Sequence, residues 1–112
     1  RLLPTRMPLQ AQVLLARLAQ LPGLRGEKIA SNAMWMETLY ISFYTGARYY
    51  GEAQKGVSAE DMAVDLEKLG IRYFLVWNDS VLSLPGWRAL PGNGIVNLRI
   101  LERKLPAGGR AQ

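Results

Sequence analysis

A chain of 112 residues that is 49% hydrophobic, with three Trp, five Tyr and two Phe, is one domain's worth and excludes a disordered polymer. The absence of Cys and His excludes disulfides, thiolate nucleophiles, zinc-thiolate sites and any catalysis built on a Ser-His or Cys-His pair within the chain. The formal net charge of +5 points away from nucleic acid once it is located: residues 1–28 carry five basic groups against Glu27, residues 99–112 carry four against Glu102, and the five basic groups between them face seven acidic ones.

The middle of the chain is thus slightly acidic and the ends are basic, which suits solvated tails or segments lying against anionic lipid head groups. No apolar run is long enough to span a bilayer, and no signal-peptide pattern occurs. The start, "RLLPTRMP", lacks an initiator Met, as expected of an excised or processed piece of a longer chain.

Pro8 suits a first helical position, and Leu14, Leu18 and Leu21 recur on one face of an amphipathic helix over 8–21. Pro22, Gly23 and Gly26 turn the chain into a short strand around Ile29. Ser31 and Asn32 follow as the expected cap of the next helix, an interaction worth about 1 kcal/mol. That helix, 33–45, has Thr38, Ser42 and Thr45 as its continuous polar line. Trp35, Met36, Leu39, Tyr40, Phe43 and Tyr44 cover most of the rest, so it is expected to be largely buried until Gly46 ends it.

Residues 47–51 read as a second strand. Over 56–70, Ser58 and Asp61 have capping-box spacing, Glu60 and Asp61 suit the helix dipole, and Met62, Leu66 and Leu69 form an apolar stripe. "IRYFLVW", 71–77, has no solvated face over its last five residues and is expected to be the central strand. Residues 87–90 and 95–104, about the turn "PGNG", read as a hairpin. Val96, Leu98 and Ile100 alternate there with Asn97 and Arg99, which predicts an edge strand with one wet face.

The fold class expected is α/β: a small three-layer domain with a mostly parallel sheet of about four or five strands, helices on both faces and a C-terminal antiparallel β-hairpin. One domain covers 1–105, comprising the N-terminal helix 8–21, a βαβαβ core over 27–77 and the hairpin 87–104. Residues 106–112 are expected to form a flexible tail.

Ligands of open α/β sheets gather beyond the carboxyl ends of the strands. The candidates there are Ser31, Asn32, Glu52, Asn78 and Asp79, with Trp35 nearby: amides and carboxylates for hydroxyl groups and a ring for stacking. Capping by Ser31 and Asn32 and loop roles for the others account for the same residues more simply. Where a dinucleotide fold requires G-x-G-x-x-G, the chain has Ser-Asn-Ala-Met-Trp-Met, and "GNG" and "GGR" precede no helix, so phosphate-loop cofactors are not expected. No spacing among Glu37, Glu52 and Asp79 brings two carboxylates together for acid-base work. No metal, cofactor or catalytic residue is assigned.

The phrases "GEKIASN", "ETLYISFYTGARYYG", "SAEDMAVDLEKLGIRYFLVWND" and "NLRILERK" resemble the soluble C-terminal region of bacterial polytopic membrane glycosyltransferases similar to dolichyl-phosphate-mannose protein mannosyltransferases. The resemblance covers residues 26–104. It implies a transmembrane bundle upstream, an extracytoplasmic position for this domain against a membrane-embedded site that uses a lipid-linked sugar, and a catalytic acid in the membrane portion rather than here. The domain would then be accessory, its partners the transmembrane portion of the same polypeptide, a glycan acceptor and anionic lipid head groups, with no nucleic acid. The rival expectations are a freestanding domain binding a sugar or nucleotide, and a protein-interaction module.

Overall fold

The computed structural model describes residues 23–91 and 97–104. The chain runs β1 (Lys28–Ser31), α1 (Trp35–Thr45), β2 (Arg48–Glu52), α2 (Ala59–Lys68), β3 (Tyr73–Trp77), β4 (Trp87–Ala89) and β5 (Leu98–Arg103). The expected helix 8–21, most of the "PGNG" turn and the tail 106–112 lie outside the described residues.

The five strands form one sheet in the order β2-β1-β3-β5-β4. β3 is central and buried at every position, as its unbroken apolar run predicts. β1 is parallel to β2 and β3, whereas β5 is antiparallel to both β3 and β4. The sheet is therefore mixed, not mostly parallel. Parallel neighbours need long crossovers, and α1 and α2 supply the last of these among the described residues. After β3 a helix-free loop carries the chain to the far edge, and β5 returns between β4 and β3.

That return also overturns the edge position expected for β5. Leu98 and Ile100–Glu102 are buried, and the edge strands are β2 and β4. The Arg99 side chain, read as a sign of a wet face, donates from Nη1 to the Asp79 carbonyl at 3.0 Å. A polar residue in an alternating strand needs a partner, which need not be water.

Alternation splits the core in two. Ile29, Tyr73, Leu75, Trp77, Leu98 and Ile100 pack with Ile41 of α1 and with Leu24. Ala30, Phe74, Val76 and Leu101 pack with Ala63 and Leu66 of α2 and with Leu84 and Trp87. Full helical layers on both faces do not form. α1 lies against β1 and β2, α2 engages chiefly through Ala63 and Leu66, and loop residues cover the remainder.

α1 is turned opposite to the sequence expectation. Thr38, Ile41 and Ser42 are its buried residues, while Trp35 (55% exposed), Met36, Leu39, Phe43 and Tyr44 face outward. The inward hydroxyls are satisfied by the helix itself: Thr38 Oγ1 donates to the Met34 carbonyl at 2.8 Å, and Ser42 Oγ to the Leu39 carbonyl at 2.8 Å. Small, self-satisfied side chains let the helix approach the sheet closely, and the bulky ones are left outside. At its end Gly46 takes φ 81°, and its N–H closes on the Ser42 carbonyl.

α2 keeps its cap but shifts its buried stripe. Ser58 Oγ accepts from the Asp61 N–H at 3.1 Å. Leu66 is buried as expected, but its buried companion is Ala63, while Met62 is half-buried and Leu69 exposed. Near the amino end of β3, Glu102 is buried in an ionic cluster. Its carboxylate accepts from Arg72 Nη2 at 3.0 Å, from Arg88 Nε at 3.0 Å and Nη2 at 2.8 Å, and from the Tyr73 hydroxyl at 3.4 Å. Burial pushes this carboxyl upward, but the hydrogen bonds and charges of Arg88 and Arg72 outweigh it and hold the group below the usual carboxylate range.

Candidate functional site

Because β1, β2 and β3 are parallel, their carboxyl ends share one edge, and this brings Ser31, Asn32, Glu52, Asn78 and Asp79 to the same end of the sheet. Each side chain is held differently there.

Ser31 is fully buried, and its Oγ lies 2.7 Å from the Tyr49 hydroxyl, where either oxygen can donate. Burial pushes the Tyr49 phenol up, and the Glu52 charge adds to this, against the hydrogen bonds of Ser31 and Thr38. Thr38 Oγ1 in turn accepts from Trp77 Nε1 at 3.0 Å. These residues form a polar seam between α1 and the sheet.

Asn32 does not cap α1. Its N–H donates to the Leu75 carbonyl at 3.1 Å, its Nδ2 donates to the Trp77 carbonyl at 3.0 Å, and its Oδ1 accepts the Trp77 N–H at 2.7 Å. The carboxamide thus imitates a peptide group and carries the β1–β3 ladder one step further. The N-cap position of α1 falls to Met34, in the left-handed region at φ 58°, without a side-chain cap. The Trp35 N–H instead reaches across to Glu52 Oε2 at 3.0 Å, so the carboxylate at the end of β2 sits on the positive end of α1.

Asn78 also has φ 58°, and its N–H donates to the Asn97 carbonyl at 2.9 Å. Asp79 Oδ1 accepts from the Val81 and Leu82 N–H groups, each at 3.0 Å, and so shapes its own loop. Beside it a cleft of about 370 Å³ is lined by Asn78, Asp79, Ser80, Asn97, Leu98 and Arg99. A second cleft of about 390 Å³ lies between β2 and α2, lined largely by apolar groups such as Val57, Met62 and Leu66, with Glu52 at its rim.

The six sequence candidates therefore separate. Ser31 and Asn32 are absorbed into the fold, Trp35 presents an exposed ring, Glu52 borders the apolar cleft, and Asn78 and Asp79 border the polar one. The polar cleft adds Asn97 and Arg99, which sequence reasoning missed because only the Val76–Arg99 register brings the start of β5 beside the end of β3. Among the described residues, no group of three or more Asp and Glu side chains is placed to hold a metal ion. The polar cleft offers amides, a carboxylate and a guanidinium, which suit hydroxyl-bearing or anionic small molecules; it holds no adjacent carboxylate pair for acid-base work. No protein-family model, curated protein or solved structure matches this chain.

Proposed function

We propose that this chain is an accessory, extracytoplasmic domain of a multi-span bacterial membrane glycosyltransferase that uses a lipid-linked sugar, and that it is not catalytic on its own. The observation that carries this reading is how the polar groups at the carboxyl edge are used. Glu52 holds the start of α1, Asn32 holds β3 and Asp79 holds its loop, so the groups a catalyst would use are engaged in shaping the domain. The resemblance over residues 26–104 supplies the parent enzyme and the partners: its transmembrane portion and a glycan acceptor. Reading the gene upstream of Arg1 tests this. A bundle of apolar stretches, each long enough to cross a bilayer, is expected, and its absence refutes the reading.

The polar cleft favours a second reading, a binding site for a sugar or nucleotide. Titration with a panel of monosaccharides and nucleotides should then shift the NMR signals of Asn78, Asp79 and Arg99, and Arg99→Gln should reduce the shifts. A panel that moves none of them excludes this reading.

A further inference from the structure

The cations that look dispersed along the sequence meet at one end of the fold. Opposite the carboxyl edge, the amino ends of β1, β2 and β3 form a second edge. There Lys28 is in register with Arg48, the Arg72 N–H bonds the Lys28 carbonyl at 2.9 Å, and the Arg103 N–H bonds the Arg72 carbonyl at 3.0 Å. Arg48, Lys28, Arg72 and Arg103 thus form a single row across neighbouring strands, with a lateral spacing of about 4.8 Å. Arg25 and Lys104, both exposed, flank it. The acids at this edge are Glu27, Glu102 and, on the last turn of α2 beside Lys68, Asp65 and Glu67; Glu102 is shared between Arg72 and Arg88, and the cations still outnumber the acids. The opposite edge carries Glu37, Glu52, Asp79 and the first-turn acids of α2 against Lys55 and Arg99. Part of the charge that a linear count assigns to the chain ends, that of Arg25, Lys28, Arg103 and Lys104, thus belongs to a polarity of the folded body.

Two features favour a bilayer over a nucleic acid as the occupant. The row is one residue deep along a rim rather than spread over a face, and Phe43 and Tyr44, exposed on the last turn of α1 at this same end, stack edge-to-face on each other with centroids 5.1 Å apart rather than forming a flat platform for bases.

We infer that this amino-end edge is a docking surface for an anionic lipid bilayer, with headgroup phosphates lying along the Arg48, Lys28, Arg72 and Arg103 row. The inference rests on the preceding reading only for the presence of a bilayer beside the domain. It also orients the domain, turning the polar cleft away from the membrane.

Flotation of the 112-residue chain with phosphatidylcholine vesicles, with and without phosphatidylglycerol, tests it. Binding is expected only to the anionic vesicles and should fall as salt rises. Arg48→Gln and Lys104→Gln, at exposed positions, should each weaken binding about fivefold. Lys55→Gln removes the same unit charge at the opposite edge and should leave binding nearly unchanged. Equal weakening by all three variants would reduce the effect to net charge and overturn the proposal. So would no binding to anionic vesicles, or tighter binding to an oligonucleotide at the same salt. Absent vesicle binding with spans found upstream refutes this inference alone; vesicle binding with no spans upstream refutes the glycosyltransferase reading and leaves the docking surface standing.

Discussion

The Asn32 carboxamide pairs with both backbone groups of Trp77, accepting its N–H at 2.7 Å and donating to its carbonyl at 3.0 Å. A side chain thereby closes the last rung between β1 and β3. Asn32→Ala is expected to leave both Trp77 groups without a partner in a mostly buried position and to destabilise the domain by about 2–3 kcal/mol. Helix-cap loss alone would cost about 1 kcal/mol. Urea denaturation separates the two, and a change of 1 kcal/mol or less would show that the pairing is replaced by water.

Thr38→Val preserves the shape of the residue but removes the acceptor of the Trp77 indole N–H. With that donor buried, the expected cost is about 1–3 kcal/mol. Indole N–H exchange followed by NMR should quicken in the variant. An unchanged rate would mean that another acceptor takes over.

Glu52 interacts with the first turn of α1 both as a hydrogen-bond acceptor and as a charge. Glu52→Gln keeps an acceptor and removes the charge, so it should cost about 0.3–1 kcal/mol at low ionic strength and less at high salt. Thermal melts of both proteins across a salt series check this; a cost that does not depend on salt would assign the effect to geometry instead.

Glu102 sets the acid limb of stability. Its carboxyl is held below its ordinary range in the folded chain, so the unfolded chain binds the proton more readily. The stabilisation is therefore fully present above the unfolded value of about 4.3 and is lost as pH falls through the lower folded value. Glu102→Gln should destabilise by about 1–3 kcal/mol at neutral pH and flatten the loss on acidification. Denaturation midpoints measured from neutral pH downward test it; parallel curves for both proteins would remove Glu102 as the cause.

The inverted α1 makes an unusual pair of expectations. Leu39→Gln, on the outward face, should change stability by no more than about 0.5 kcal/mol. Ser42→Leu, on the inward face, should cost about 1–3 kcal/mol by overpacking. Thermal denaturation that ranked the two variants the other way would place the apolar face inward after all.

Local signals were legible where one interaction decided the outcome. Ser58 three residues before Asp61 marks the start of α2, Gly46 marks the end of α1, and the five apolar residues from Tyr73 mark the central strand. The edge that gathers the candidate polar residues was legible as well, because parallel strands must end on the same side. Residue type and spacing carry that information without reference to partners distant in the chain.

Choices between equivalent local options were left to the tertiary structure. Periodicity shows that α1 has a hydroxyl line and an apolar remainder, but which of them meets the sheet depends on Thr38 finding the Trp77 indole, a partner 39 residues away. Asn32 can cap a helix or complete a ladder, and the arrival of Trp77, 45 residues on, settles it. The place of β5 beside β3, the cleft that Arg99 enters, and the alignment of Arg48, Lys28, Arg72 and Arg103 follow from strand register. By itself the sequence determined elements, the Ser58 cap, the Gly46 stop and the existence of a core; cross-strand hydrogen bonding decided which side chains meet, since that pairing joins residues whose separation along the chain has no periodicity to reveal it.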